Sequence, residues 1–258
     1  MLHRLFFGDC LEEMKNIPDG SIDMILTDPP YGTTQCKWDS IIPLGPMWEQ
    51  LERVIKPSGA IALFGSEPFS SALRMSNINH YKYDWIWQKS KATGHLNSKK
   101  RPLVKHEIIS IFYRSQTTYN PQGLIKKKTP TISKGNRGKN GNSSGECYGT
   151  ANKDALQIYK NYPKSIINFN VDAKAEFHST QKPVLLLEYL IKTYTNSGDT
   201  VLDFAMGSGS TLIACRNLNR NSRGIDNGYC EKDKIINGIS IKGMLWTDIV
   251  QLRLNEEF

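Results

Sequence analysis

The sequence predicts an α/β fold built on a doubly wound, mostly parallel sheet that carries an inserted basic region. Three observations predict it. Short continuous apolar runs alternate with stretches of helical periodicity at both ends of the chain, these runs stop at turn residues, and the stretch between them is polar, cationic and rich in Gly and Asn. With 258 residues and 39% hydrophobic content, the chain can fill one well-packed domain with an appendage rather than two independent folds.

Residues 21–27 (SIDMILT) and 60–64 (AIALF) read as short strands of a buried parallel sheet. Between them, residues 47–55 (MWEQLERVI) place apolar side chains at Met47, Trp48, Leu51, Val54 and Ile55, a helical stripe that Lys56-Pro57-Ser58-Gly59 is expected to end. Together these make a βαβ unit. Residues 83–87 and 108–113 are two further strands, and residues 117–152 are an insertion or loop domain. Alternation resumes with a helix at 184–194, a strand at 200–203, a helix from Ser210 and a strand ending near Ile225.

Charge and cysteine usage narrow the classes of function. The net charge is +8, but twelve Lys or Arg stand against one acid, Glu107, between Lys91 and Gly141, a local +11 that leaves the rest of the chain net acidic. Such concentration fits a polyanion-binding face, since each phosphate neutralised releases condensed counterions; it also fits a solvated loop. Cys10, Cys36, Cys147, Cys215 and Cys230 form no CxxC pair, so neither a disulfide framework nor a zinc site is expected, and a reducing cytoplasm fits. Residues 1–7 are too short for a signal peptide and no apolar run reaches membrane-spanning length, which predicts a soluble protein.

The first chemical motif, Asp28-Pro29-Pro30-Tyr31, follows the strand at 21–27 directly, and carboxyl ends of strands are where open parallel sheets bind ligands. Pro30 forces Pro29 to be extended and neither proline donates an N–H, so their carbonyls are free to accept. A carboxylate, a fixed carbonyl and an aromatic ring in four residues can hold a planar NH₂ and stack on the ring that bears it. A lone DPP would be read as an Asp-Pro turn.

The second motif is Asp203-Phe204-Ala205-Met206-Gly207-Ser208-Gly209-Ser210-Thr211, between a strand and a helix. Gly207 and Gly209 allow a tight turn and close approach of a nucleotide-like ligand, and Ser210 or Thr211 can cap the helix. Asp226 lies 17 residues beyond Gly209, at the end of the next strand, where an acid can take both ribose hydroxyls. The full dinucleotide fingerprint requires a third glycine where Leu212 stands, so a phosphate-free adenosine ligand fits better than a pyrophosphate.

DPPY followed far downstream by FAMGSG, with His178-Ser179-Thr180-Gln181-Lys182-Pro183 between, resembles the β-class of amino DNA methyltransferases. The resemblance extends to Gly8-Asp9-Cys10, Pro18-Asp19-Gly20-Ser21, the 53–59 stretch RVIKPSG, Arg101-Pro102 and His106-Glu107, covering about residues 5–114 and 177–231. It implies a circularly permuted, Rossmann-like methyltransferase sheet with S-adenosyl-L-methionine as cofactor. Residues 1–90 would be the catalytic half, 91–170 the target-recognition region, continuing the catalytic sheet to about 114, and 171–258 the cofactor-binding half.

The resemblance also implies roles. Asp28, Pro29, Pro30 and Tyr31 would be catalytic. Asp203, Phe204, Gly207, Ser208, Gly209 and Thr211 would lie under the cofactor, with Asp28 beside it. Asp226 with Asn227 would hold its ribose, Asp9 with Cys10 its adenine, and Thr180 with Lys182 its methionine end. Asp9 also reads as a helix N-cap, and Lys182 as a surface charge. Lys99, Lys100, Arg101, Lys126, Lys127, Lys128 and Arg137 are the expected DNA contacts, all but Arg137 mostly to phosphates. His95, Asn97, Asn136, Arg137 and Asn140 suit base edges. Double-stranded DNA is the expected partner, with a cognate restriction endonuclease and a homodimer compatible with it, in a bacterial or phage-encoded cytoplasmic enzyme without a membrane partner.

The chemistry expected is methyl transfer to N6 of an adenine flipped out of the duplex. A cytosine C5 methyltransferase needs a thiolate, usually presented as Pro-Cys, and none of the five cysteines follows proline. An N4-cytosine enzyme would use nearly the same site and in the family more often has Ser where this chain has Asp28. A protein-glutamine methyltransferase would have Asn there, and a catalytically silent DNA-binding protein would not require both motifs. After Asp226-Asn227 the family usually continues as one helix, whereas Gly228, Gly238 and Gly243 interrupt the stretch here, and residues 239–258 align with nothing.

Overall fold

The structure is a computed structural model that describes residues 1–34, 36, 39–133, 154–171, 177 and 181–256. In chain order its elements are β1 (His3–Phe7), α1 (Cys10–Met14), β2 (Ile22–Thr27), α2 (Leu44–Val54), β3 (Ile55–Gly65), α3 (Phe69–Ser76), β4 (Tyr81–Thr93), a 3₁₀ turn (His95–Asn97) and β5 (Val104–Phe112). Then come β6 (Ile125–Ser133), β7 (Ala155–Lys160), β8 (Ile166–Phe169), α4 (Val184–Tyr194), β9 (Thr200–Asp203), α5 (Ser210–Asn217), β10 (Asn221–Asp226), β11 (Ile235–Ile236), β12 (Ile239–Ser240) and α6 (Trp246–Leu254).

The described chain divides into two compact units, residues 1–120 with 165–258, and residues 121–164. The first contains an eight-stranded sheet in the order β1-β10-β9-β2-β3-β5-β4-β8. Only β5 runs antiparallel to its neighbours, as the sequence predicted for a mostly parallel sheet. Strand order reverses between β9 and β2, which pair in parallel through Met24 with Val201 and Ile25 with Leu202. The crevice at the carboxyl ends of these two strands is therefore the topological switch point, where such sheets bind ligands.

β2 is apolar from Met24 to Leu26 because both of its faces are covered there. Met24 and Leu26 pack with Leu186, Leu190 and Ala214 on the α4 and α5 side, while Ile22 and Ile25 pack with Met47, Leu51 and Val54 of α2. The predicted helix at 184–194 and strand at 200–203 coincide with α4 and β9.

The helix ends ahead of residues 56–59, as expected: α2 stops at Val54, Ile55 is already extended, and Lys56-Pro57-Ser58-Gly59 lies within β3, a placement the sequence did not assign. Opposite the two steps from Ile22 to Met24, β3 takes five, from Ile55 to Ala60, so the segment is a bulge. Pro57 needs no ladder partner there. A side-chain carbon at Gly59 would meet the Ile55 side chain and the Asp23 carbonyl, so the bulge requires glycine, and Lys56 pairs with Asp23 at 2.6 Å.

In the second unit, β6 and β7 pair antiparallel, with a register shift between Lys126 and Thr131. The sequence assigned neither strand: β6 lies in the polar 117–152 stretch, and every residue of β7 is exposed, Leu156, Ile158 and Tyr159 included. The 239–258 stretch, without an expected element, contains the end of the β11–β12 hairpin and α6, whose Trp246, Ile249 and Val250 are buried. Among the described residues no helix is long and apolar enough to cross a membrane.

Candidate active site at the sheet switch point

Asp28 follows the last residue of β2, and its carboxylate accepts from the Tyr31 hydroxyl on Oδ1 and the Lys182 ammonium on Oδ2. Lys182 is 9% exposed, immediately ahead of α4, and lies 5.2 Å from the centre of the Phe64 ring. Its nitrogen also stands 3.4 Å from Glu107 of β5. Burial pushes the Asp28 carboxyl above its ordinary value, opposed by the Lys182 charge and reinforced by the Glu107 charge. Burial would lower the Lys182 amine, yet Asp28 and Glu107 hold it above its usual value.

The loop after Asp28 is shaped by Asp39, which is 7% exposed. Its Oδ1 accepts from the Tyr31 and Gly32 amides at 2.8 and 2.9 Å, and its Oδ2 from the Thr33 and Thr34 amides at 2.9 and 2.7 Å. Burial alone would raise this carboxyl, but the bonds from Thr34, Gly32 and Tyr31 hold it below the ordinary value. The Tyr31 ring stacks on Phe69 of α3 with centroids 5.3 Å apart. Pro29 is buried and Pro30 is partly so.

Across the switch point, Asp203 ends β9 and is 4% exposed; burial raises its carboxyl to about 7, with hydrogen bonding from Thr211 opposing. Phe204 is buried, and its amide donates to the Thr27 hydroxyl at 3.2 Å. Ser208 and Thr211 are buried too. The two glycines divide their duties. Gly207 has φ +48° and faces open space, whereas Gly209, at φ +74°, leaves no room for a side chain because Val250 of α6 fills that position. Arg253 of the same helix donates to the Ser208 carbonyl and lies 4.5 Å over the Phe177 ring.

Asp226 ends β10 and joins two backbone segments: Oδ2 accepts from Gly207 and Oδ1 from Gly228, each at 2.8 Å. Burial raises its carboxyl against these bonds. Asn227 beside it is exposed. The β1–β10 register pairs Phe7 with Asp226, which brings Asp9 and Cys10 to the same edge. Asp9 caps α1, accepting from Leu11 at 2.8 Å and from Glu12 at 3.4 Å. Burial, then the Asp9 charge, pushes the Cys10 thiol to about 11.

One rim of the sheet thus carries Asp9, Cys10, Asp226, the 203–211 motif, Asp28, Tyr31 and Lys182. Thr180 lies outside the described residues, as do Arg137, Asn136 and Asn140. Lys99, Lys100 and Arg101 are exposed after the 3₁₀ turn that holds His95 and Asn97. In the second unit Lys126 and Lys128 are exposed on β6, while Lys127 donates to Thr131 at 2.7 Å and Gln157 at 3.1 Å. Sequence reasoning assigned no role to Asp39, Phe69, Glu107 or Arg253. Only Glu107 carried a signal, as the lone acid of the basic stretch; the others act through neighbours distant in sequence or through backbone amides.

A switch-point crevice flanked on one side by a rigid Asp-Pro-Pro-Tyr loop and on the other by a glycine turn and a strand-end acid defines an α/β protein that binds a nucleoside and presents a carboxylate beside it. The family model described as DNA methylase, of the N6/N4 type, matches residues 22–236, and the chain belongs to that family.

The chain is 28% identical over 254 residues to the Type II methyltransferase M.HpaI of Haemophilus parainfluenzae, covering 88% of this chain and 70% of that protein. It is 26% identical to M.BamHI of Bacillus amyloliquefaciens, covering 95% of this chain but 59% of that protein, so it is shorter than these relatives. The solved M1.HpyAVI–SAM complex matches the fold with a TM-score of 0.60 at 22% identity, covering 98% of this chain and all of that one. The cytosine-N4-specific PvuII DNA methyltransferase matches with a TM-score of 0.62 at 14% identity, covering 99% of this chain and 93% of that one.

Proposed function

We propose that this member of the DNA methylase family transfers a methyl group from S-adenosyl-L-methionine to N6 of a flipped-out adenine within a specific duplex site. The observation that carries this reading is the Asp28 carboxylate, held by Tyr31 and Lys182 at the switch point. Each oxygen accepts one hydrogen bond and keeps a second lone pair for an amine. An Asp at this position favours adenine over an N4-cytosine target, which remains the second reading because the PvuII enzyme shares the fold.

The cradle fits the cofactor: Gly207 opens on space that a side chain would fill, and each Asp226 oxygen retains a lone pair for a hydroxyl. Phe204, Gly207, Ser208, Asp226, Asp9, Cys10 and Lys182 are the described residues that would hold it. When bound, it supplies an electrophilic methyl on a sulfonium. Asp28 and the Pro29 carbonyl accept the two amine hydrogens, freeing the nitrogen lone pair from the purine ring. As the N–C bond forms and the C–S bond breaks, positive charge grows on the nitrogen, and the preorganised carboxylate stabilises it more than it does the ground state. The extra proton is then released to solvent. Tyr31, fixed by Phe69 and Asp39, offers its ring to the extruded base.

Substituting Gly207 by Val should weaken cofactor binding, read by calorimetry, without lowering the melting temperature as much as Gly209→Val. The latter drives a side chain into Val250 and should cost about 1–3 kcal/mol of stability. Equal cofactor affinity in Gly207→Val and wild type would remove the proposed cradle.

We assign target recognition to residues 91–170, between a catalytic half at 1–90 and a cofactor half at 171–258. The separate compact unit at 121–164 and the concentrated basic charge support this. Replacing Lys126, Lys127 and Lys128 with Ala should weaken binding to all DNA sequences alike and flatten the salt dependence by about 0.9 log unit per lost phosphate contact. Sequence preference should persist. An unchanged affinity and slope would make the run a solvated strand edge. Expression in a methylation-free host, followed by sequencing for modified bases, tests the functional reading directly; N4-methylcytosine in place of N6-methyladenine would select the second reading. The Type II names of the relatives favour a cytoplasmic restriction-modification setting with a cognate endonuclease.

A further inference from the structure

Glu107 is the one acid against twelve Lys or Arg between positions 91 and 141, and its side chain is 14% exposed. Its Oε1 pairs with Lys89 of β4, while its Oε2 is buried 3.4 Å from the Lys182 nitrogen and makes no hydrogen bond among the described residues. Lys182 in turn bonds Asp28. Lys89, Glu107, Lys182 and Asp28 therefore form a row of alternating charge that ends at the carboxylate of the DPPY motif.

We propose that Glu107 is a positioning residue for methyl transfer: by sharing the Lys182 ammonium, it keeps Asp28 from being fully neutralised and leaves that carboxylate able to stabilise positive charge on the attacking amine. This deepens the reading of Asp28 given above and rests on it. Positive charge moves onto the amine nitrogen during transfer, so the potential there matters, and Lys182 cancels part of what Asp28 supplies. With Glu107 neutral, Lys182 has Asp28 as its sole anionic partner in the row and the row carries one more positive charge.

Among the described residues, the groups facing Asp28 are the Tyr31 hydroxyl on its own loop, Lys182 ahead of α4, Glu107 on β5 and Asp203 at the end of β9; Lys89 acts through Glu107 and Asp39 through Tyr31. Burial raises the Asp28 carboxyl first, Lys182 opposes it, and Glu107 adds to the rise. Loss of the Glu107 charge therefore lowers it. The alternative is that Glu107 only fastens β4 to β5, where Trp87 is its register partner.

The test uses the full chain and begins without ligands: Asp28 is followed by ¹³C carboxylate NMR across pH, its resonance assigned by its loss in Asp28→Asn. Glu107→Gln should move the Asp28 titration to lower pH. Lys89→Gln should move it the opposite way, because Glu107 then turns fully to Lys182; this variant decides the matter if Glu107→Gln does not fold. In single-turnover methyl transfer, Glu107→Gln should be slower by about tenfold, with unchanged affinity for cofactor and DNA. The acid limb of its pH profile should move to lower pH, and Glu107→Asp should recover most of the rate. An Asp28 titration unmoved in both variants, or a rate loss matched by lost affinity with no movement of the limb, overturns the proposal in favour of simple fastening. Wild-type protein that methylates no DNA sinks the functional reading instead, and the titration still decides the role of Glu107.

Discussion

Replacing Asp28 with alanine should lower the rate of methyl transfer by about a thousandfold, because on the proposed mechanism the group lost is the one that compensates charge appearing only in the transition state. Cofactor affinity should change far less, since the glycine turn and Asp226 sit on the other side of the switch point, on β9 and β10. Asp28→Ala also leaves Lys182, a 9% exposed ammonium, with Glu107 alone at 3.4 Å, so some stability is lost. Asp28→Asn separates the two effects: it keeps the shape of the side chain and should be nearly as inactive. The measurements are labelled-methyl transfer, cofactor titration by calorimetry and thermal unfolding. An Asp28→Ala protein that still methylates DNA would remove the carboxylate from the mechanism.

The second large effect is expected at Asp39, which touches no reacting atom. Its carboxylate holds four consecutive amides, from Tyr31 to Thr34, and without it those donors lose their common acceptor. Hydrogen bonds to a charged acceptor contribute about 1.5–3 kcal/mol each, enough for the loop to give up its single geometry when they go. Asp39→Ala should reduce the turnover rate by about a hundredfold through misplacement of Tyr31 and Pro29. The sheet should stay folded. Asp39→Asn keeps one oxygen acceptor and should fall between wild type and alanine. The carboxyl is held below its ordinary value, so its contribution to the loop is present above the unfolded-state value and persists into acid until pH falls through the lowered one. If Asp39→Ala and wild type turn over equally, the loop keeps its shape without this anchor.

The sequence by itself determined the alternating fold, the strand-end placement of the two motifs and the family, for a local reason. Strands such as β2, covered on both faces, must be apolar where they are buried, as from Met24 to Leu26, and the motifs that follow such strands, DPPY and FAMGSG, carry their backbone restrictions and functional groups in adjacent residues. Helix α4 and strand β9 were legible in the same way, from periodicity and length. Residues 56–59 were legible as the end of α2 but not as a bulge, because proline and glycine stop a helix in either setting and only pairing of β3 with β2 shows the bulge.

Tertiary structure alone decided which distant groups meet. Lys182 reaches Asp28 across 154 positions, and Glu107 stands beside both. Asp39 closes its loop through backbone amides, which are the same in every sequence and so leave no trace in it. Gly209 has no room for a side chain because of Val250, a contact made 41 positions further on by a helix in a stretch that no motif covers. Spacing along the chain encodes what neighbours in sequence can do together; the electrostatic setting of a buried carboxylate depends on charges that only packing brings within a few ångströms.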